Sequence, residues 1–446
     1  MSDDLREAVR RVLPGVRADL EALIRIPSVS ADPGAAAELR RSADLIAGLF
    51  RQVGTPEVEI LDAAGGQPAV LARYPAPAGR PTVLLYAHHD VQPTGDPAEW
   101  VSPPFEPAER DGRLYGRGSA DDKAGVAAHL AVLRAYGGQP PVGVKVFVEG
   151  EEEIGSPTLG AFLERYRDQL AADVIVLADS ANLQIGTPAL TTSLRGIAGC
   201  VVEVRALEHG VHSGSYGGAA PDALTALCRL LATLHDEQGN VAIEGLVTAK
   251  APEADYPEEQ FRAEAAMLDG VRLIGSGSVA ERLWAKPSAS VLGIDTTRVA
   301  DASNTLIPVA RAKVSVRLAP GDEASRALEA LGRHLREHAP WGVRVTITKD
   351  DSGQPFAVDS QGSAFDAARA AFSQAYGRDL IDVGVGGTIP FVAVFADAFP
   401  AARILVTSAG ADPDCRAHGA DESLHLGDFE RACVAEALLL AELAGA

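Results

Sequence analysis

Paired cysteines, basic clusters and long apolar runs are all missing from this sequence, and each absence removes a class of protein. Its 4 cysteines, Cys200, Cys228, Cys415 and Cys433, show no paired spacing, which argues against a disulfide framework and for free thiols in a reducing compartment. No Lys/Arg cluster with interleaved aromatics offsets a formal net charge of −21, so the chain would repel a phosphate backbone and nucleic acid is not an expected partner. The most apolar late stretch, Val434 to Ala446, is broken by Glu436 and Glu442 and falls short of a membrane span. Asp3 and Asp4 stand where a secretory leader needs basic residues. A cytoplasmic protein without a membrane anchor is expected.

What is present suggests two domains, because 446 residues exceed what one hydrophobic core organises. The first part alternates apolar strand-like runs (Thr82–Tyr86, Val144–Val148, Asp173–Leu177) with helical patterns near Asp122–Tyr136 and Thr158–Leu170. That order predicts an α/β domain with a mixed sheet flanked by helices, whose reactive groups sit at the carboxyl ends of its strands. After about Thr191 the order becomes β-α-β-β-α-β: strands at Cys200–Arg205, Ser290–Thr296, Ala312–Leu318 and Val343–Lys349, with helices at Asp222–Asp236 and Glu323–His338. The stretch from about Asn240 to Lys286 gives mixed signals consistent with partial helix. A helix at Ser363–Tyr376 and a strand at Ala402–Thr407 mark a return to the first domain. The expected division is therefore 1–190 with 353–446, interrupted by a smaller α+β domain at 191–352.

The ends of the first domain's strands are rich in His, Asp and Glu. In extended chain, residues two apart share a face, so His88 and Asp90 of Ala87-His88-His89-Asp90 can meet, and a carboxylate beside a ligating imidazole orients it and raises its basicity. His89 faces the other way and reads as structural. Asp121, in Gly118-Ser119-Ala120-Asp121-Asp122-Lys123, stands at a helix mouth, where an aspartate is ordinarily an N-cap. Glu151-Glu152-Glu153 closes another strand, and such a like-charged triplet is costly unless cations or protons offset it. Asp179 follows the next strand, and His418 lies in Arg416-Ala417-His418-Gly419. Together His88, Asp121, Glu153, Asp179 and His418 form the mixed imidazole and carboxylate set that suits a pair of zinc ions.

In this order, the runs around His88, Asp121, Glu152, Asp179 and His418 resemble the M20 family of zinc metallopeptidases. Tyr115-Gly116-Arg117-Gly118, His212-Ser213-Gly214-Ser215-Tyr216 and Gly386-Gly387-Thr388-Ile389-Pro390 are similar to its carnosinase-containing dipeptidase branch. The resemblance implies two Zn²⁺ ions, with Co²⁺ or Mn²⁺ as substitutes. Asp121 would bridge them, His88 and Asp179 would complete one site, and Glu153 and His418 the other. Glu152 would be the general base for a metal-bridging water, Asp90 would buttress His88, and Glu151 would be a bystander. His212 would stabilise the oxyanion in a neighbouring subunit's site, which implies a homodimer through the smaller, lid-forming domain. Asn304, Arg317, Gly387 and Thr388 match positions that hold a small peptide substrate.

One departure bears on selectivity: related dipeptidases often carry Arg-Glu before the Gly-Gly-Thr-Ile-Pro run, whereas Gly384-Val385 stands here. Cys415, three residues before His418, mimics a metal-binding pair but reads as structural. The expected activity is cleavage of a dipeptide. The alternatives are an amidohydrolase of N-acyl or N-carbamoyl amino acids and, more remotely, a catalytically silent metal-binding protein.

Overall fold

A computed structural model describes residues 2–387 and 389–445, and the chain separates into two compact units. The first runs through Thr192 and resumes at Val358–Val383 and from Pro390 onward; the second is Ser193–Ala357 with Gly384–Ile389. The return to the first unit thus begins at Val358 rather than at 353. The glycine run before Pro390 also belongs to the second unit.

In the first unit, the sheet order is Glu57–Leu61, Ala69–Tyr74, Gly143–Glu149, Thr82–His88, Val174–Leu177, Arg403–Val406 and Ala189–Leu194. The four central strands, Gly143–Glu149 through Arg403–Val406, are parallel, and antiparallel partners flank them. Their apolar runs are buried almost throughout, as parallel strands covered on both faces require. Helices Lys123–Ala135, Ser363–Tyr376 and Leu426–Gly445 supply part of that cover and share one core with the sheet. The late apolar stretch is therefore a buried helix, with Leu438, Leu439, Leu440 and Leu443 in the core. Among the described residues, no helix is long and apolar enough to cross a membrane.

One feature differs from expectation, and the N-terminal helix adds another that the sequence reading did not address. The helix expected at Thr158–Leu170 is two helices, Leu159–Arg165 and Arg167–Leu170, broken at Tyr166. Arg165 Nη1 and the Tyr166 hydroxyl both donate to the Asp62 carbonyl, and consecutive side chains of a regular helix point roughly 100° apart. Helix Ser2–Ile24 continues through Pro14, which as a sequence signal reads as a breaker. Leu5, Val9, Val16, Leu20 and Leu23 carry it, all buried at helical spacing.

The second unit has the expected β-α-β-β-α-β order, folded as an antiparallel sheet Ser288–Asp295, Val309–Leu318, Gly196–Arg205, Arg344–Gly353. Along its strands Ala310, Ala312, Val314 and Val316 point into a core shared with helices Ala223–Ala232 and Ala324–Glu337. Arg311, Lys313 and Arg317 alternate onto the other face. Asp222 and Glu323 cap the two helices by accepting backbone N–H bonds from Thr225 and from Ser325 and Arg326. The Asn240–Lys286 stretch holds the short helices Glu258–Glu264 and Glu281–Ala285.

Candidate metal centre

Strand register brings the first two groups together. Tyr86 pairs with Leu177 across parallel strands, so two residues further on His88 and Asp179 emerge side by side, Nε2 to Oδ2 3.9 Å. His88 is buried, with Nδ1 3.0 Å from the Asp90 carbonyl and 3.4 Å from its carboxylate. That leaves Nε2 to face Asp121 Oδ1 at 3.0 Å. The other oxygen of Asp121 lies 3.1 Å from His418 Nε2, which is itself 3.2 Å from Glu153 Oε2. Asp121 is free to do this because Asp122 caps helix Lys123–Ala135, accepting from Gly125 N at 3.2 Å, and also accepts from His88 N.

The glutamates of the triplet have three different surroundings. Glu151 is buried and accepts from Thr158 N at 2.7 Å, from Gln67 N at 3.1 Å and from the Thr158 hydroxyl; these bonds clamp its own loop. Glu153 accepts from Gln92 N at 3.1 Å and from Gln92 Nε2 at 2.8 Å, which aims its carboxylate at His418. Among the described residues, the Glu152 carboxylate has no hydrogen-bond partner. Its backbone is nonetheless fixed: the two oxygens of Asp90 accept from Glu152 N and Glu153 N, each at 3.1 Å. One buried carboxylate therefore sets both the imidazole of His88 and the acidic turn.

The electrostatics follow from crowding acids in a buried place. Burial first, then the charges of Asp179, Glu153 and Asp121, hold the Glu152 carboxyl well above its ordinary range. Burial, with Asp121 and Glu153, pushes Asp179 up to about 7. His418 is raised to about 10 by its bonds to Asp121 and Glu153. Without added cations the imidazoles must serve as counter-charges, and some acids must keep protons. Divalent cations remove both demands, and the donor atoms are close enough: one from each of His88, Asp121 and Glu153 lie within 4.8 Å of one another, as do those of His88, Glu152 and Asp179. The residues fit a metal centre of nitrogen and oxygen ligands.

Glu422 has a structural role that sequence reasoning missed. Fully buried, it accepts from Gly118 N at 3.0 Å, Ala120 N at 2.9 Å and Asp121 N at 3.1 Å, and pairs with Arg117 at 2.6 Å. It thus holds the turn that presents Asp121. Arg117 also donates to the His418 carbonyl at 3.2 Å. In the loop carrying His418, the non-glycine residues Arg416, His418 and Asp421 are left-handed, with φ 54°, 65° and 56°; such backbone persists where its surroundings over-determine it. Burial pushes the Cys415 thiol up to about 11 and its side chain joins the core, consistent with a structural residue.

The remaining expected residues lie on the second unit. His212 is exposed and its Nδ1 accepts from Gly214 N at 3.1 Å. The backbone N–H of its neighbour Ser213 donates to the Asn304 carbonyl at 2.8 Å, next to the antiparallel pairing of Val211–His212 with Thr305–Leu306. Arg317 stands half-buried on its strand, and Gly387 closes the Gly384–Gly387 segment. Thr388 lies outside the described residues.

Carboxylates and imidazoles thus converge at the strand ends of a mixed-sheet domain, beside Glu152, whose carboxylate has no hydrogen-bond partner among the described residues. The chain belongs to peptidase family M20/M25/M40, whose model matches residues 84–442. It is 40% identical over 367 residues to a cysteinylglycine-S-conjugate dipeptidase of Corynebacterium striatum, covering 81% of this chain and 80% of that protein. To a Beta-Ala-His dipeptidase of Rattus norvegicus it is 31% identical over 406 residues, covering 84% and 82%. The solved structure of human carnosine dipeptidase 1 matches with a TM-score of 0.81 over 100% of this chain and 99% of that one, at 24% identity, which speaks for a common fold.

Proposed function

We propose that this chain is a two-metal dipeptidase, zinc being the first choice of ion. Asp121 would be shared between the ions, with His88 and Asp179 on one side and Glu153 and His418 on the other. The observation carrying this reading is the division of Asp121's two oxygens between two imidazoles, at 3.0 and 3.1 Å. When bound, such ions polarise a carbonyl and make a water acidic near neutral pH.

The chain's own residues supply the rest. Glu152 takes a proton from the attacking water and returns it to the departing amine, a role that suits a carboxylate with no competing partner and a raised proton affinity. Asp90 keeps it in place through the Glu152 and Glu153 amides. His212 donates to the oxyanion as a residue of a second subunit, so the working form is a homodimer through the smaller unit, which also acts as the lid. Arg317 pairs with the peptide's carboxylate, for which its planar fork is suited, and Asn304, Gly387 and Thr388 complete the substrate contacts. The dipeptidase activities of the Corynebacterium and rat relatives support the substrate class.

The test is hydrolysis of a panel containing Cys-Gly, β-Ala-His and simple dipeptides, alongside N-acyl and N-carbamoyl amino acids, with chelator and with restored Zn²⁺ or Mn²⁺. Metal-dependent release of amino acids from dipeptides is expected. Cleavage confined to the acylated compounds would replace the dipeptidase reading with an amidohydrolase one.

A further inference from the structure

Within the second unit lies a cavity of about 390 Å³, in the range of roughly 300–1,000 Å³ typical of small-molecule pockets. Phe261, Leu273 and Leu283 form apolar walls, and Arg195, Arg282 and Lys286 supply cations; among the described residues no Asp or Glu lines it. In a chain of net charge −21, that lining is opposite in sign to the molecule as a whole.

Two of the cavity's lining residues, Ser288 and Arg195, connect it to Arg317, proposed above to hold the peptide's carboxylate, and to the chain beside Gly387. Ser288, on its wall, pairs directly with Arg317 in the antiparallel register, and such partners share a face with Cβ atoms about 4.5–5.5 Å apart. Arg195 donates to Ser288 Oγ at 3.1 Å and, through Nε, to the Gly386 carbonyl at 3.1 Å, next to Gly387. The departure noted at Gly384-Val385 shapes the same wall. A Cβ on Gly384 would meet Trp284 Cβ at 2.5 Å, and one on Gly386 would come within 2.9 Å of Arg195 Nη2 and 3.2 Å of the Leu283 carbonyl. A side chain at 384 is therefore incompatible with the short helix Glu281–Ala285 as it stands, and the glycine allows that helix to line the cavity through Arg282 and Leu283. The cationic wall is also fixed in place: Lys286 Nζ donates to the Ser276 carbonyl at 2.7 Å, and Arg282 Nε to the Gly277 carbonyl at 2.9 Å.

Resting on the dipeptidase reading, we infer that this cavity receives the side chain of the substrate's C-terminal residue and selects apolar side chains over cationic ones. An apolar side chain gains contact with the apolar walls, while a Lys or Arg side chain meets like charges held rigidly by their own hydrogen bonds.

The experiment compares kcat/KM for Ala-Gly, Ala-Leu and Ala-Lys in the metal-loaded wild-type enzyme and in the Arg282→Glu and Leu273→Trp variants, with melting curves as the folding control and Lys286→Glu in reserve should Arg282→Glu not fold. In the wild type, Ala-Leu should exceed Ala-Gly by about tenfold or more, the scale that apolar pocket contacts provide, and Ala-Lys should fall below Ala-Gly. Arg282→Glu should raise Ala-Lys relative to Ala-Leu by about tenfold, chiefly through KM, and Leu273→Trp should lower Ala-Leu more than Ala-Gly. Equal rates for Ala-Leu and Ala-Lys in the wild type, or an unchanged ratio in a folded charge-reversal variant that still cleaves Ala-Gly, overturns the pocket. No cleavage of any of the three by metal-loaded wild type overturns the dipeptidase reading itself, and the pocket with it.

Discussion

Asp121 and His212 stand at two extremes of anchoring, one in each unit. The turn presenting Asp121 is gripped from below by Glu422, a fully buried carboxylate with three backbone N–H bonds and an arginine partner. His212 is exposed, and the contact its ring makes is local, with the amide of Gly214 two residues away. The same contrast separates Asp90, buried and aligning three other residues, from Asn304, exposed at the end of a short strand pair. A centre that must bring like charges together has to be organised before any ligand arrives, because its geometry is costly to assemble. Residues that meet substrate can wait on the surface.

The largest effect that would sharpen this contrast is expected of Glu152→Gln. It should lower kcat by about 10²–10⁴-fold, the usual contribution of a general base, while metal content measured by elemental analysis stays at the wild-type level; near-normal turnover would remove Glu152 from its role. Glu422→Ala acts beneath the centre and leaves Arg117, 1% exposed, as an uncompensated buried charge. A loss of about 3–5 kcal/mol is expected from denaturant unfolding, and a loss below about 1 kcal/mol would show that the anchoring is not what holds the turn.

On the second unit, His212→Ala should cost about 10²–10³ in kcat, as removal of an oxyanion donor does. Its stability should stay within about 0.5 kcal/mol of wild type because the side chain is exposed. A large stability loss there would break the comparison. The smallest effect is expected of Asp90→Asn: about 10–100-fold in metal affinity or activity, the scale for a partner of a metal-binding histidine, read from zinc titration and kinetics side by side.

The sequence made the reactive groups legible and left most of their supports hidden. His88, Asp179 and the Glu151–Glu153 triplet follow apolar strands, so periodicity alone brings them to one end of a sheet. Helix Ser363–Tyr376 was readable to the residue, and so was the order of the second unit's four main strands and two main helices, but not the short strand pair Val211–His212 with Thr305–Leu306. Glu422 was not, because its meaning lies in an arginine 305 residues away and in amides that carry no side-chain signal. Gln92, which aims Glu153, sits 61 residues from it and looks like an ordinary polar residue after a strand. The break at Tyr166 depends on a carbonyl 104 residues away. Within the Asn240–Lys286 stretch only partial helix was legible, because helices as short as Glu281–Ala285 span little more than one turn and show no periodicity, although Gly384-Val385 already marked where selectivity would differ.

The most direct test of the central claim is a zinc titration of metal-stripped wild type and Asp121→Ala, following bound metal per chain and dipeptide hydrolysis together. Two equivalents bound with hydrolysis appearing as they bind, and both lost in Asp121→Ala, is the predicted result. Full-rate hydrolysis by the stripped protein, or an Asp121→Ala variant that binds two equivalents and remains active, would contradict it.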